Sequence, residues 1–465
     1  MGSYQRIREG SMINKAIFRE YDIRGVYDRE LTLETALLLG KAIGTQLRKK
    51  NILRMTLGRD VRTSSGDLHQ ALLEGLLFTG VHVVDIGVCP TPLLYFSLYH
   101  LGVQGGVMIT GSHNPPEYNG FKICMDRDSI YGDDIQNLYR MVEAKEFVSG
   151  VGTSSSEEII PAYIENLISR FPGLKVKNPL KVVIDSGNGT AGLVAPELLK
   201  TLGFDLVELF SEADGRFPNH HPDPTVEKNL SDLINRVQKE KADVGIAYDG
   251  DADRIGVVDE LGNILWGDKL LLLFSREILK HSPKATIISE VKSTHLLYED
   301  IQRNGGNAIM WKAGHSLIKA KMKETKAALG GEMSGHIFFA DRYFGFDDAI
   351  YASCRLLEIL VSGKKPLSSL LSDVPKTFAT PEIRVDCPDS LKFKIVDRLK
   401  QKLAPLYKVY DVDGVRVLFD DGWGLVRASN TQPVLVLRFE ATTEKRLKEI
   451  QAEIEGVLDE VKKNF

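Results

Sequence analysis

The chain reads as an α/β protein, with three related α/β domains built on mixed sheets and a smaller C-terminal α+β domain. Two observations predict this class. A unit of strand, amphipathic helix, glycine cap and second strand recurs three times along the first four-fifths of the sequence. Each such unit is one α/β layer, and its recurrence marks related domains. The remaining segment abandons the pattern for short strands set around two helices. Composition then sets the boundaries. Gly150 to Glu158, rich in Gly, Ser and Thr, reads as a linker. A second break falls near Gly262 to Gly267, and a third in Ser368 to Pro381, where the helical pattern of Tyr351 to Leu360 is lost. The expected domains are therefore 12–158, 159–265, 266–375 and 376–465.

The elements follow in order. In the first unit Met55 to Gly58 is a strand, a helix runs through Leu73, Leu76 and Leu77, and Gly80 ends it before a strand over Val81 to Ile86. The apolar run Gly106 to Ile109 is a further, buried strand. In the second unit Lys181 to Asp185 is a strand, the helix through Leu198 and Leu199 stops at Gly203, and Phe204 to Phe210 is the next strand. In the third, Ala285 to Ile288 leads to a helix through Leu296, Leu297 and Ile301. Gly305 closes it and Asn307 to Trp311 follows. The last domain has strands at Ile383 to Val385, Val409 to Phe419, Gly424 to Arg427 and Val434 to Glu440, with helices at Leu391 to Leu403 and Glu444 to Val461.

Composition excludes several function classes. Of the 465 residues 43% are apolar and 26% charged, the balance of a soluble globular protein. A net charge of −4 argues against a general nucleic-acid or acidic-membrane partner, so any phosphate site must be a local positive pocket. No apolar run approaches a membrane span. Cys89, Cys124, Cys354 and Cys387 are scattered, which fits reduced thiols inside a cell and neither a zinc site nor a disulfide framework. Met1 to Ser11 reads as an expression leader ending in a cloning junction.

Four loops carry polar residues suited to chemistry. Thr110-Gly111-Ser112-His113-Asn114-Pro115-Pro116-Glu117-Tyr118-Asn119-Gly120-Phe121-Lys122 follows a buried strand, where open α/β sheets place their sites. It is not a hydrolase elbow, because Asn114 stands where Gly-x-Ser-x-Gly needs its second glycine. An ordinary turn is the bland alternative. Asp249-Gly250-Asp251-Ala252-Asp253-Arg254 also follows a strand. A purely structural acidic turn is the alternative, but its three carboxylates at every second position would repel one another without a cation, and hard oxygen ligands suit Mg2+ or Ca2+. An EF-hand is excluded because Arg254 occupies the sixth position, where Gly is required, and strand-like runs flank the loop. Gly331-Glu332-Met333-Ser334-Gly335-His336 offers partners for sugar hydroxyls, and its two glycines would let a ligand approach the backbone, although taken alone it reads more readily as a polar turn. Arg427-Ala428-Ser429-Asn430-Thr431-Gln432-Pro433 joins an Arg fork to hydroxyls, an amide and loop N–H groups, a phosphate cradle in composition, although ordinary hairpin chemistry would also account for it.

Taken together, and in this order, the loops resemble those of the α-D-phosphohexomutases, most closely the phosphomannomutase/phosphoglucomutase branch. The likeness covers nearly all of Ile13 to Phe465. It implies four domains around a central cleft, each contributing one loop. By resemblance Ser112 carries a phosphoryl group, and Ser112, Asp249, Asp251 and Asp253 bind Mg2+. Arg254 approaches the phosphoserine, and Arg24, in Tyr21-Asp22-Ile23-Arg24-Gly25, reaches the serine loop close to Lys122. Glu332 and Ser334 hold the 3- and 4-hydroxyls of the sugar, and His336 belongs to the same loop. Lys292 and His315 join the ligand site, where a solvated surface role is the plain alternative. Arg427, Ser429, Asn430 and Thr431 bind phosphate, with Arg438 helping less directly. Ala252 stands where many relatives have Gly, which reads as a mild change.

The implied activity is that of an isomerase of carbohydrate metabolism, an intramolecular phosphotransferase that is itself a phosphoprotein. It would interconvert hexose 1-phosphate and hexose 6-phosphate, of mannose, glucose or both, through a 1,6-bisphosphate. Lys122, His113 and His315 are the candidates for acid–base work. Mg2+ and glucose 1,6-bisphosphate or mannose 1,6-bisphosphate are the expected cofactor and activator. A monomer or homodimer in the cytoplasm is expected. The alternatives are a phosphoglucosamine mutase, against which Met333 and Pro115-Pro116-Glu117-Tyr118 argue, a non-catalytic sugar-phosphate-binding protein, and a serine-dependent phosphatase.

Overall fold

The computed structural model describes residues 13–465 except Val176 and Thr431. The leader at 1–11 and Thr431 of the phosphate loop lie outside the described residues. The chain divides into two compact units, the first ending at Ile159 and the second running from Ile160 to Phe465.

One strand order is used three times. In the first unit Arg54–Arg59 lies parallel between His82–Val88 and Gly105–Ile109, and Tyr118–Met125 runs antiparallel beside Gly105–Ile109. In the second unit Lys181–Asp185 lies parallel between Asp205–Leu209 and Val244–Tyr248, with Ile255–Asp259 antiparallel to the latter. There too Thr286–Glu290 is parallel to Asn307–Trp311 and Leu329–Gly331, and Ile337–Phe339 closes antiparallel. The parallel steps need crossovers, and helices supply them: Ser65–Phe78 and Thr91–His100, then Ala195–Thr201 and Ser231–Glu240, then His295–Arg303 and His315–Thr325. Gly105–Ile109 and Val244–Tyr248 are buried along their whole length, which is why they read as unbroken apolar runs.

This topology positions the loops. The third-to-fourth strand step is antiparallel and short, so it is made by a loop without a helix. In the three sheets that loop holds Ser112, the Asp249–Asp253 triad, and Glu332 with Ser334. Three motifs that look unrelated in sequence therefore occupy one structural position.

The fourth sheet is antiparallel. Val434–Ala441 pairs with Gly422–Ala428, which pairs with Val415–Phe419 and then Lys408–Tyr410, while Phe378–Ala379 and Ile383–Asp386 share the other edge of Val434–Ala441. Helices Asp389–Leu403 and Glu444–Lys462 cover one face, burying Leu399, Ile450 and Ile454 against Val417, Val426 and Phe439.

The boundary segments differ from their sequence reading. Within Gly150 to Glu158, Thr153–Ser156 is a strand, parallel to His82–Val88 at the edge of the first sheet. Its four side chains are all exposed, so a polar composition that suggests a linker is that of an edge strand held by backbone bonds. Ile264–Leu265 pairs back onto Ile255–Asp259, so Gly262 lies in a hairpin turn. Phe378–Ala379, inside the third break, belongs to the last sheet.

Candidate active site

Ser112 lies at the end of Gly105–Ile109 in a left-handed backbone conformation, φ +48°. A non-glycine residue pays about 1–3 kcal/mol for such a conformation and keeps it only where its surroundings fix it. Here its N–H donates to Thr110 Oγ1 at 2.8 Å, and the Gly111 N–H donates to Asp60 Oδ2 at 3.1 Å. Ser112 Oγ is 3.1 Å from His113 Nδ1. Arg24, on strand Ile23–Val26, donates to Asn114 Oδ1 at 2.6 Å and pairs with Asp22 at 2.5 Å, which ties it to the serine loop. Lys122 is buried on Tyr118–Met125, opposite Met108. The first unit thus brings Ser112, His113 and Arg24 to one loop, with Lys122 buried on the strand that follows it. Arg62, unremarked in the sequence, reaches the same loop from within the unit.

In the second unit the carboxylates of Asp249, Asp251 and Asp253 converge, one oxygen of each lying within 4.8 Å of the others, and all three residues are fully buried. Asp249 Oδ1 accepts the N–H groups of Asp253 (3.0 Å) and Arg254 (3.1 Å), which curls the loop and brings the side chains together. Flanking strands Val244–Tyr248 and Ile255–Asp259 rule out an EF-hand. Three buried oxygen donors with no sulfur fit a hard divalent cation such as Mg2+. Asp253 also groups with His336 and Asp347. There Lys319 sits 3.0 Å from Asp347, and its charge disfavours an ion. Ala252 has φ +58°, so the glycine of relatives answers a conformational demand, and the substitution is less mild than it reads.

Arg254 Nε donates to His336 Nε2 at 3.0 Å. An Arg N–H can only donate, so His336 Nε2 accepts and its proton sits on Nδ1, 3.1 Å from Asp347 Oδ2 and 3.6 Å from Asp253 Oδ1. Both ring nitrogens face protein partners. Burial pushes the Asp347 carboxyl up, but Lys319 and the imidazoles of His336 and His315 outweigh it and hold it well below the usual carboxylate range. His315 is buried, its ring stacked 5.7 Å from that of His336. Asp347 is absent from the sequence reading; the Asp347-Asp348 pair before helix Ala349–Gly363 signals only the cap that Asp348 makes.

Glu332 is buried and takes the Gly314 N–H at 2.7 Å through Oε1. Ser334 is half-buried at the turn. The two glycines of this loop also answer close packing within the protein. A Cβ on Gly335, at φ +91°, would collide with the Ile255 carbonyl, and one on Gly331 would lie 2.8 Å from Leu271. Gly335 lets this loop lie against the strand after Arg254, where the Ile255 N–H donates to Gly335 O at 3.0 Å, and Gly331 lets it lie against helix Gly267–His281.

Lys292 sits between two carboxylates, 3.5 Å from Glu290 and 3.1 Å from Glu382. Burial lowers its pKa, yet the two carboxylates outweigh that and raise it. Glu290 is fully buried, pushed up to about 7 by burial, and Oε1 accepts the Met333 N–H at 2.9 Å. Glu382, beside Lys292, is held at about 2. Arg427 is buried and paired with Asp413, Nη2 at 2.9 Å. Lys392 donates to the carbonyls of Ser429 (2.5 Å) and Gln432 (3.1 Å), fixing the turn that holds half-buried Asn430. Arg438 touches the Met333 sulfur and lies 4.0 Å from Asp268. Glu290, Glu382, Lys392 and Asp413 have no motif of their own, and only the Asp413-Gly414 turn signal points near one of them.

Three mixed sheets of one strand order and a C-terminal α+β domain define the four-part architecture of the phosphohexomutases. Models of the phosphoglucomutase/phosphomannomutase family match the chain in succession: alpha/beta/alpha domain I over residues 15–149, domain II over 161–262, domain III over 266–378 and the C-terminal domain over 382–457. A phosphomannomutase/phosphoglucomutase of Pseudomonas aeruginosa is 47% identical over 94% of this chain and 94% of its own length. A phosphoglucomutase of Neisseria gonorrhoeae is 44% identical over 96% and 97%. The crystal structure of a phosphoglucomutase/phosphomannomutase family protein from Burkholderia thailandensis superimposes with a TM-score of 0.91 at 43% identity, covering 97% of this chain and 98% of that one. The chain belongs to the phosphoglucomutase/phosphomannomutase family of the α-D-phosphohexomutase superfamily.

Proposed function

We propose that the protein is a mutase that interconverts hexose 1-phosphate and hexose 6-phosphate, of mannose, glucose or both, with Ser112 as the phosphoryl carrier. Family membership supports the reaction class. The observation that carries the reading is the equivalent placement of the three loops. One strand-to-strand step bears in turn a serine, a carboxylate triad and a Glu–Ser pair.

Phosphoserine 112 gives its phosphoryl group to the free hydroxyl of the bound sugar phosphate. The Oγ–P bond breaks, a sugar O–P bond forms, and the hydroxyl proton passes to a base. Lys122, His113 and His315 are the candidates, and His113 is nearest to Ser112 Oγ. The product at this stage is a hexose 1,6-bisphosphate. Reoriented, it returns its other phosphoryl group to Ser112 Oγ: that sugar O–P bond breaks, the Oγ–P bond re-forms, and the proton held by the base goes to the freed sugar oxygen. Bound at Asp249, Asp251 and Asp253, Mg2+ would supply charge neutralisation for the group in transfer. Arg254, held by His336, adds fixed positive charge. Glu332 Oε2 and Ser334 take sugar hydroxyls, with His336 behind them. Lys292 joins them at the sugar, and Arg427, Ser429, Asn430 and Thr431 hold the phosphate that does not react. Arg24 braces the serine loop through Asn114.

Glucose 1,6-bisphosphate or mannose 1,6-bisphosphate would prime the serine. The four domains are taken as 12–158, 159–265, 266–375 and 376–465. Among the described residues no helix is long and apolar enough to cross a membrane. Four buried free cysteines support a cytoplasmic setting. Each motif loop comes from a single chain, so a monomer or a homodimer suffices.

The test is a coupled mutase assay on glucose 1-phosphate, mannose 1-phosphate and glucosamine 1-phosphate, with Mg2+ and a trace of bisphosphate. The expected result is turnover of the first two that collapses in Ser112→Ala. Turnover chiefly of the glucosamine ester moves the protein to the phosphoglucosamine branch. Absence of turnover by phosphorylated, Mg2+-loaded protein leaves a sugar-phosphate binder.

A further inference from the structure

We propose that Arg62 is the positioning residue of the serine loop, holding Ser112 in its left-handed conformation so that Oγ occupies one place whether or not it carries a phosphoryl group. The inference rests on the reading of Ser112 as the phosphoryl carrier. Arg62 is 2% exposed. Its Nη1 donates to the carbonyls of Pro115 (2.5 Å) and Tyr118 (2.9 Å), and its Nη2 to those of Ser112 (2.8 Å) and Asn114 (2.5 Å). One guanidinium therefore gathers three carbonyls of a loop of Gly, Pro and polar residues and that of Tyr118, the first residue of the strand after it. The planar fork makes this geometry available to Arg and not to Lys, which has three donors on a single atom.

Arg62 is itself fixed. Its Nε lies 3.2 Å from Asp60 Oδ2, the oxygen that also takes the Gly111 N–H. Asp60 Oδ1 accepts the N–H of Arg62 (3.0 Å) and the hydroxyl of Ser65 (2.5 Å). Asp60 and Arg62 follow the strand Arg54–Arg59 and precede the helix Ser65–Phe78, so a separate connection of the sheet grips the serine loop from the side. Gly111 permits the grip, because a Cβ there would lie 2.5 Å from Arg62 Cζ. The four Nη hydrogens are spent on these carbonyls, so Arg62 acts on the phosphoryl group through Ser112 and not as its ligand. A mutase transfers to and from one serine in alternate half-reactions, and a misplacement of about 1 Å costs about a hundredfold in rate.

The test uses the full-length protein and Arg62→Lys, which keeps the charge and removes the fork. The expected result is kcat about a hundredfold lower with KM for the hexose phosphate within about threefold. Faster amide exchange confined to residues 111–119 should accompany it, with an otherwise parental melting profile. A folded Arg62→Lys with parental kcat, or with parental exchange in that loop, overturns the proposal. If Arg62→Lys does not fold, Gly111→Ala prises the loop from an intact Arg62. The same loss of kcat is then expected, and parental kcat overturns the proposal. Parental protein without mutase activity would sink the proposed function alone, and the exchange measurement would still decide whether Arg62 holds the loop.

Discussion

Half-buried Asp413 pairs with buried Arg427, and one carboxylate oxygen does three things: Oδ2 accepts from Arg427 Nε at 3.0 Å, lies 2.9 Å from Nη2, and accepts the N–H of Ala313 at 3.1 Å. The guanidinium assigned to phosphate thus carries an internal counter-ion. The same counter-ion ties strand Gly422–Ala428 to the loop that leads into helix His315–Thr325.

Two substitutions separate its two effects. Asp413→Asn keeps an acceptor for both donors and removes a negative charge beside the phosphate loop, so hexose phosphate should bind about threefold to tenfold more tightly. Asp413→Ala loses the acceptor as well and should bind more weakly, because Arg427 is no longer oriented. Titration calorimetry with glucose 6-phosphate reads both. Weaker binding by Asp413→Asn would mean that the charge of Asp413, and not merely its acceptor oxygen, helps phosphate recognition.

The carboxylate triad predicts a stability signature independent of turnover. Without a cation, three buried carboxylates repel one another. Millimolar Mg2+ should therefore raise the melting temperature of the parent, and EDTA should reverse the shift. Asp251→Asn should melt higher than the parent in EDTA, lose the Mg2+ shift and lose turnover. A parental Mg2+ shift in Asp251→Asn would remove this residue from the metal site.

Ala252 pays for a left-handed backbone at φ +58°. The cost for a non-glycine residue is about 1–2 kcal/mol, and the extra freedom of an unfolded glycine returns about 0.5–1 kcal/mol of it. Ala252→Gly should therefore stabilise the protein by roughly 0.5–1 kcal/mol. Urea midpoints at constant m would measure this. Destabilisation would show that the Ala252 methyl, fully buried, packs for more than its backbone costs.

Asp348 gives a pH dependence with a definite sign. It caps helix Ala349–Gly363 and accepts the hydroxyls of Tyr163 (2.9 Å) and Tyr343 (2.7 Å), yet burial raises its pKa from 3.8 to about 6. A folded pKa above the unfolded one means the folded state holds the proton more tightly. That contribution is complete below pH 4 and is lost as pH rises through about 6. Relative to the parent, Asp348→Asn should gain roughly 2–3 kcal/mol between pH 4 and pH 7. Paired urea melts at the two pH values test it, and a difference that does not change with pH would place the Asp348 pKa near its ordinary value.

What was legible in the sequence was local and contiguous. The loops of Ser112, of Asp249 to Asp253, of Glu332 and Ser334, and of Arg427 to Asn430 are short strings whose residue types suggest a chemistry, and the strands beside them are apolar runs that only burial explains. Thr153–Ser156 was not legible, since its composition is that of a linker and only the neighbouring strand supplies its hydrogen bonds. The two glycines of the hydroxyl-binding loop were visible, but not their reason, because Ile255 and Leu271 are distant in the chain.

By itself the sequence determined the class of fold, the family, and the order of the four loops in which the proposed site residues lie. Tertiary structure decided that three of those loops occupy the same step of three like sheets. It also decided which charged groups hold them: Arg62 under Ser112, Asp347 behind His336, Glu290 at Met333 and Asp413 on Arg427. The physical reason is that motif chemistry is written in adjacent residues. A buried charge, by contrast, must be paired wherever the fold brings it, and its partner can lie anywhere in the chain.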